Sequence, residues 1–582
     1  MFIPSTKIFS LFLIIFSVIT FSNTFKNEFL WDDGAFFVSN ILTANLKNIP
    51  KLFVTNTTSG GGITSNYYRP ITSVSFTIDR AIWGLNPFGF HLTNLLLHTA
   101  TALLVFYLLI RFGMSNLAAF WITVIFIVHP VQVEAVTYLS SRGDILYSLS
   151  LLIALHLFWS SLAKKSLPKI FLCLLLYPLA ILSKEGALAA PPLFLGLALF
   201  KQRLLKETFK KFYQRKRAEF ILVWTLVLEG IIYIILRLSV LNFSNTLNYS
   251  GVSDLYSHSL LIRLYTFLKV VWLDLGLIVY PYPLYLDRTT DIVQNLFSPY
   301  VMFGLLLLIS LIYLGIKENS KLKSNWILLG LLWTAIHLAL VSGIVPNTAL
   351  IRENWLYMPI VGLGLMVYGV WKVVTSKFKR LDKLNFNLIG LLLTLTLMIV
   401  TIQQNTVWHD SITYFEHNLK YYPTPRVRLN LAHEYLVKGD LAKAKYHYLL
   451  VTKESDIYPQ AYDNLGIIAE KEGDLKGAEK NYIDALIMDN EYLFTYPKLI
   501  DLYAKQSRFE DGLPLIKRLS LIFPDDILIK GVYAQFLFGL DKKTEAEEVL
   551  ANASHLAKTD QEKNYIQEVL SHPQDSPKRL QK

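Results

Sequence analysis

The chain has one cysteine, Cys173, in 582 residues. That excludes an intrachain disulfide and any cysteine cluster for a metal. Charged residues are also sparse, at 17% against 53% hydrophobic and 14% aromatic, and the mean hydropathy is +0.39. A soluble protein of this length does not carry so many long apolar runs, so the class is a polytopic membrane protein. There is no Walker loop and no His-Glu-x-x-His zinc signature. Glu134 stands near His129, but no third ligand follows at a defined spacing. The first apolar run lacks a small-residue cleavage site, so it reads as a retained helix. The formal charge of +12 forms no stripe for nucleic acid. Many of the basic residues fall in short loops between apolar segments, the pattern of cytoplasmic loops beside anionic lipid.

Segments of membrane length lie near 9–25, 91–111, 117–136, 145–163, 168–183, 186–200, 219–238, 299–316, 325–343, 355–374 and 385–402. Four basic loops set the orientation. The first holds Lys164, Lys165 and Lys169. The second, 201–217, carries eight basic residues against one glutamate. Lys317, Lys321 and Lys323 mark the third; Lys372, Lys377, Lys379, Arg380 and Lys383 mark the last. With all four inside, the N-terminus is inside. The loops 26–90, 137–144, 184–185, 239–298 and 344–354, and everything after 402, are then outside. Residues 263–281 cannot make a single crossing in that arrangement. They read as an outer-surface or re-entrant segment, with Arg263, Lys269 and Asp274 partly exposed. The expectation is an all-α bundle of about eleven crossings plus one non-crossing segment, in residues 1–404, with 26–90 as the first outer loop.

From about Thr413 the helices become amphipathic, and the chain matches itself at a spacing of 34. Pro425 falls on Pro459, Gly439-Asp440 on Gly473-Asp474, Tyr448 on Tyr482, and Ala444 on Ala478, Gly512 and Ala546. This period resembles tetratricopeptide repeats. About four units are expected over 413–570, stacked as an α-solenoid. Ser507 and Asp541 stand where the first two units have a turn glycine. Tyr448 and Tyr482 read as core between helices.

Polar residues gather at the ends of the apolar segments. Asp32 and Asp33 follow the first, in Trp31-Asp32-Asp33-Gly34. Adjacent carboxylates are costly in hydrocarbon and belong at the water interface, where they accept a proton or bind a cation. A flexible Gly60-Gly61-Gly62 stretch precedes Tyr67-Tyr68-Arg69-Pro70. His91, Asn94 and His98 share one helix face. His129-Pro130 breaks the third segment one turn before Glu134. Arg142-Gly143-Asp144 opens the fourth, Lys184-Glu185-Gly186 lies between the fifth and sixth, and Arg352 to Pro359 opens the penultimate one. Asn56, Asn242, Asn248 and Asn552 begin glycosylation sequons.

The ordered set Trp31-Asp32-Asp33, Tyr68-Arg69-Pro70, Trp83 to Pro87, His91 to His98, His129 to Val136, Arg142-Gly143-Asp144 and Ser183-Lys184-Glu185 resembles the transmembrane and tetratricopeptide-repeat O-mannosyltransferase family. Leu356-Tyr357-Met358-Pro359 resembles that family's late loop, although Asn354 stands where an arginine is common. The resemblance covers nearly the whole chain. It implies a GT-C type glycosyltransferase moving a sugar, mannose in characterised members, from a polyprenyl-phosphate donor to protein serine or threonine, or another acceptor, on the extracytoplasmic side. The short repeat array resembles bacterial or archaeal relatives, implying the cell inner membrane.

On that reading Asp32 or Asp33 is the base, with Asp32 preferred. Arg69, Arg142 and Lys184 bind the leaving phosphate, and His91 and His129 assist. Asp144 and Glu185 belong to the substrate site, and Glu134 positions a donor hydroxyl or a metal. No cofactor is assigned beyond a possible divalent cation held by carboxylates. The partners are the lipid-linked donor, a protein acceptor in the repeat groove and the bilayer, with no nucleic acid. The competing reading is a membrane-anchored repeat scaffold without catalysis.

Overall fold

The computed structural model describes residues 6–62, 65–164, 166–204, 208–239, 241, 254–285, 288–322, 324–345, 349–378 and 386–573. Lys165, Lys323, Lys379, Arg380 and Lys383, and the sequons at Asn242 and Asn248, lie outside these residues. Among the described residues there are helices and turns and no strand. Backbone contacts divide the chain into two compact units, Met1–His417 and Asn418–Lys582.

The first unit is built from α1 (Thr6–Phe21), α2 (Pro70–Trp83), α3 (Pro87–Arg111), α4 (Asn116–Val128), α5 (Arg142–Ala163), α6 (Leu167–Ser183), α7 (Pro191–Leu204), α8 (Arg217–Ser239), α9 (Leu260–Val279), α10 (Pro299–Leu322), α11 (Trp326–Leu338), α12 (Pro359–Lys377) and α13 (Phe386–Val407). Proline opens α2, α3, α7, α10 and α12, where its missing N–H has no helical partner to lose. Each of the eleven expected segments falls on a helix. Seven are long and apolar enough to cross a membrane. An eighth, α4, continues into 130–136 after a 57° bend, and Pro130 supplies the break. The other three, α6, α7 and α11, have 17, 14 and 13 residues.

Side-chain contacts sort the helix ends into two sets. At one end Arg111 bonds to the carbonyl of His156, Trp121 to Asn387, and Lys216 to the carbonyl of Ser161. A chain of rings runs there from Phe112 through Trp159, Phe200 and Trp326 to Tyr368, at 4.8–6.1 Å. At the other end Thr137 and Asn23 bond to Asn405, Asn94 bonds to the carbonyl of Val136, and Arg352 bonds to Glu134. Such sorting requires consecutive spans to run antiparallel, with one rim rich in charge.

α9 is an unbroken helix of 20 residues, about 30 Å long, so it is not re-entrant. Both its ends bond to the charged rim. Near its start the Arg263 guanidinium donates to the carbonyl of Gly343 at 2.5 Å. Near its end the carbonyl of Ile278 meets His129 Nε2 at 2.9 Å. A helix tied to one rim at both ends fits a segment lying along that face.

The connection 26–90 is folded rather than loose. Phe36, Phe37, Phe76 and Phe90 pack with Leu139 into a cluster of their own. Of the three glycines expected to be flexible, Gly60 and Gly61 are instead points of close approach, and Gly62 takes a left-handed φ of 75°. A Cβ on Gly60 would stand 2.1 Å from Asn40 Oδ1, and one on Gly61 2.4 Å from the carbonyl of Ala35.

The second unit pairs α14 (Pro425–Val437) with α15 (Leu441–Glu454), α16 (Pro459–Glu472) with α17 (Leu475–Met488), α18 (Tyr496–Lys505) with α19 (Phe509–Ile522), and α20 (Ile527–Gly539) with α21 (Lys543–Leu556), followed by α22 (Asp560–Ser571). These are the four repeats of period 34. Ala444, Ala478 and Ala546 are fully buried, as are Tyr448 and Tyr482, so the tyrosines are core. The turn inside each pair needs a left-handed residue. Gly439 and Gly473 adopt φ of 84° and 82°, and Ser507 and Asp541 take φ of 55° and 58° at the same step. The repeat therefore imposes one backbone geometry even where glycine is missing. Since an L-residue pays strain there, Ser507→Gly and Asp541→Gly should each stabilise the protein by about 0.5–1 kcal/mol, read as a raised unfolding temperature by circular dichroism.

Candidate active site

The charged rim is assembled around the stretch 133–144. Trp31 begins it from the side of α1, with φ of 45°, a conformation that costs an aromatic residue of order 1–3 kcal/mol. Its ring stacks on Tyr138 at 6.4 Å, and Trp408 covers Tyr138 at 5.1 Å. A single wide turn, Gly34–Val38, follows.

Between Trp31 and this turn the two adjacent carboxylates take different partners. Asp33 is buried and accepts from Ser140 N at 3.0 Å, from Ser140 Oγ at 2.5 Å and from Leu30 N at 2.9 Å. It staples the stretch that follows α1 to the one that precedes α5. Burial pushes its carboxyl up to about 7 and Asp32 adds to the rise, against the hydrogen bonds from Ser140 and Leu30. Asp32 is only half-buried, and its Oδ2 accepts from the Tyr138 hydroxyl at 2.8 Å.

Arg142 is fully buried. Its Nη2 pairs with Asp79 Oδ2 at 2.6 Å and donates to the carbonyl of Phe90 at 3.1 Å, while Nε donates to Asn94 Oδ1 at 2.6 Å. The guanidinium lies 4.4 Å from the centre of the Phe76 ring. It clamps α2, α3 and α5 together. His91 is buried in the same wall. His129 bonds through Nε2 to α9 and through Nδ1 to Val131 N at 3.3 Å, so it holds the bend after α4.

A second group surrounds 184–185. Arg69 makes a two-pronged pair with Glu185, at 3.0 Å and 2.6 Å. The guanidinium more than offsets burial and leaves the Glu185 carboxyl at about 2. Lys184 Nζ lies 2.7 Å from both Asp144 oxygens. Asn354 donates through Nδ2 to Asp144 at 3.0 Å and through its backbone N–H to Glu134 at 3.0 Å. Glu134 also accepts from Arg352 at 2.9 Å. Arg288 faces Glu353 at 3.7 Å. Burial and the Glu134 charge push the Glu353 carboxyl up, against the pull of Arg288 and Arg352.

Direct bonds thus link Arg142 with Asp79 and Asn94, and a separate network links Glu134, Asp144, Lys184, Asn354 and Arg352. Arg69 and Glu185 join that network through the 184–185 peptide. Asp32 and Asp33 meet the same stretch through Tyr138 and Ser140. The sequence pointed to all of these except Asp79, Tyr138, Ser140 and Arg288, with Arg352 and Asn354 noted as part of one string and given no role in binding. Asp79 is a lone acid in an amphipathic helix; Arg352 lies in a string already noted as opening a span. Asn354 bridges the two carboxylates from the position where the resemblance leads one to expect arginine. Among the described residues no group of three or more His, Cys, Asp and Glu is placed to hold a metal.

Fold and rim define a multi-pass all-α membrane protein with a charged site at one set of helix ends and a tetratricopeptide-like repeat unit. No protein-family model matches the chain. Curated relatives do, and they are protein O-mannosyl-transferases of the TMTC type. Protein O-mannosyl-transferase F38B6.6 of Caenorhabditis elegans is 24% identical over 83% of this chain and 63% of its own length. TMTC3 of Homo sapiens is 23% identical over 84% of this chain and 57% of its own length, and TMTC2 of Mus musculus 30% identical over 44% and 32%. The chain therefore spans less than two thirds of the length of these relatives. The resemblance read from the motifs extends across much of the chain. Among solved structures, the crystal structure of the APC/C hetero-tetramer Cut9-Hcn1 aligns at 13% identity over 86% of this chain and 93% of that one, with a TM-score of 0.24.

Two stability outcomes follow. Arg142→Ala leaves Asp79 buried without its cation and should cost about 3–5 kcal/mol, read as a lower unfolding temperature in detergent. Asp33 has a folded pKa raised from 3.8 to about 7. The stability it contributes is fully present below 3.8 and is lost as pH rises through about 7. Unfolding measured across pH should show that decline in the wild type and a flatter profile in Asp33→Asn.

Proposed function

We propose that this protein is a membrane glycosyltransferase that moves a sugar, mannose or a close relative of it, from a polyprenyl-phosphate donor to a serine or threonine hydroxyl of a protein acceptor on the extracytoplasmic face. The observation that carries the proposal is the convergence of Asp32, Arg69, Glu134, Asp144 and Lys184 on one rim, although the set is spread over 152 positions of the chain, from Asp32 to Lys184. The names of the relatives support the same class of reaction.

Asp32 is the base. It is the more exposed of the two carboxylates, and Tyr138 orients it while Asp33 holds the turn. It takes the proton of the acceptor hydroxyl as that oxygen bonds to the anomeric carbon. The bond from that carbon to the phosphate oxygen breaks in the same displacement, with inversion. The lipid phosphate leaves as an anion, received by Lys184 and Arg69, whose carboxylate partners hold them in place before the donor arrives. Asp144 and Glu185 act here as positioning residues. Glu134, fixed by Arg352 and the Asn354 backbone, orients a sugar hydroxyl.

The phosphate enters from the side of α8. Glu229, Tyr233 and Arg237 recur at one-turn spacing on that helix. Tyr233 packs against Tyr68 at 6.2 Å, and Arg237 bonds to the carbonyl of Asn66. Leu236 next to this face, and Ile232 and Ile234 on its flanks, are exposed and offer a track for the polyprenyl chain. The repeat unit holds the protein acceptor.

Transfer from a radiolabelled polyprenyl-phosphate sugar by purified protein tests the reading. Asp32→Asn should lower turnover by about 10²–10⁴-fold with an unchanged unfolding temperature. Full turnover in Asp32→Asn removes Asp32 as the base. Absence of transfer by the wild type with every polyprenyl-phosphate sugar tried removes the donor class.

A further inference from the structure

Within the second unit, the third and fourth repeats leave a hollow of about 360 Å³. Tyr492, Leu493 and Phe494 wall it on one side, and Leu519, Phe523 and Leu528 on the other. These residues come from the connection before α18, the last turn of α19 and the first turn of α20. The hollow therefore opens at the helix ends, away from the helix faces that form the groove of a repeat array. Phe494 is 58% exposed, a large ring left in water at the mouth. The remaining lining includes Asp489, Glu491 and Asp526; the nearby Lys498, which donates to the Phe494 carbonyl at 2.8 Å, is already paired with Asp463 at 2.8 Å. Asp489 accepts from Glu491 N at 2.9 Å, and Asp526 accepts from Ile529 N at 3.1 Å, so two of the three charges are fixed in place. Glu491 is exposed.

We propose that this hollow docks a protein segment in which one bulky apolar side chain is flanked by lysine or arginine. The volume is at the low end for a binding pocket and has room for one or two large side chains. The apolar wall gains from burying such a side chain. Carboxylates round a concave low-dielectric mouth focus a negative field onto whatever enters, which favours flanking cations. The same field repels phosphate headgroups, so a lipid surface is excluded on charge. The occupant is recognised before and apart from any sugar chemistry, which makes the hollow a selector of polypeptides and not a part of the rim.

The test uses the full chain in nanodiscs, without sugar donor. Three dye-labelled peptides share one backbone and differ at the centre: Lys-Phe-Lys, Glu-Phe-Glu and Lys-Ser-Lys. Fluorescence polarisation should give the first at least tenfold tighter binding than the other two, weakening with salt. Glu491→Lys should narrow or reverse the preference between the first two, and Phe494→Asp should abolish binding at an unchanged helical content. Equal binding of all three peptides, or an order unaffected by Glu491→Lys, overturns the proposal. So does self-association that Phe494→Asp abolishes and the first peptide fails to displace, which assigns the hollow to a second copy. Because no transfer is measured, failure here leaves the glycosyltransferase reading untouched, and failure of transfer leaves this one untouched.

Discussion

Charge buried at the end of a membrane helix has to be paired, and that requirement organises the first unit. Arg142 is the clearest instance. A guanidinium fully removed from solvent carries several kcal/mol of desolvation unless a counter-charge and hydrogen-bond acceptors surround it. Asp79, Asn94, the Phe90 carbonyl and the Phe76 ring supply them from α2 and α3, against the α5 that carries Arg142. Those elements therefore cannot separate without exposing an unpaired charge. The same logic joins Lys184 to Asp144 and Arg69 to Glu185. Together these pairs fix the rim to which the connection 26–90 is fastened.

Pairing also divides labour among residues that look alike in the sequence. Asp32 and Asp33 are neighbours with the same chemistry, yet three donors hold Asp33 inside the wall while Asp32 meets the Tyr138 hydroxyl from a half-buried position. A left-handed Trp31 starts the turn that makes this split. Arg142 and Arg69 diverge similarly. One is closed in on every side, and the other lies at 12% side-chain exposure beside Glu185. Strain and exposure both fall where proposed chemistry needs a preset geometry.

The second unit obeys a different constraint, repetition. Each helix pair must turn within a few residues and let the next pair approach closely. Alanine at the crossings and a left-handed turn residue satisfy both needs. Where Ser507 and Asp541 replace glycine, the stack still holds the turn at φ of 55° and 58°, because the packed neighbours leave the backbone no other path. Departure from strict repetition around 489–494 accompanies the hollow with the acidic mouth.

By itself the sequence determined the all-helical class, the apolar segments, the 34-residue register and most of the polar positions on the rim. These follow from local composition and periodicity, which each stretch of chain carries on its own. The tertiary structure alone decided what those positions do. That Gly60 and Gly61 are points of close contact, that Arg142 is a clamp, that Asn354 bridges Glu134 and Asp144, and that α9 is tied at both ends to one rim depend on partners distant in the chain. A side chain's partners, burial and hence charge state are set by neighbours that folding brings together, and no local pattern encodes them.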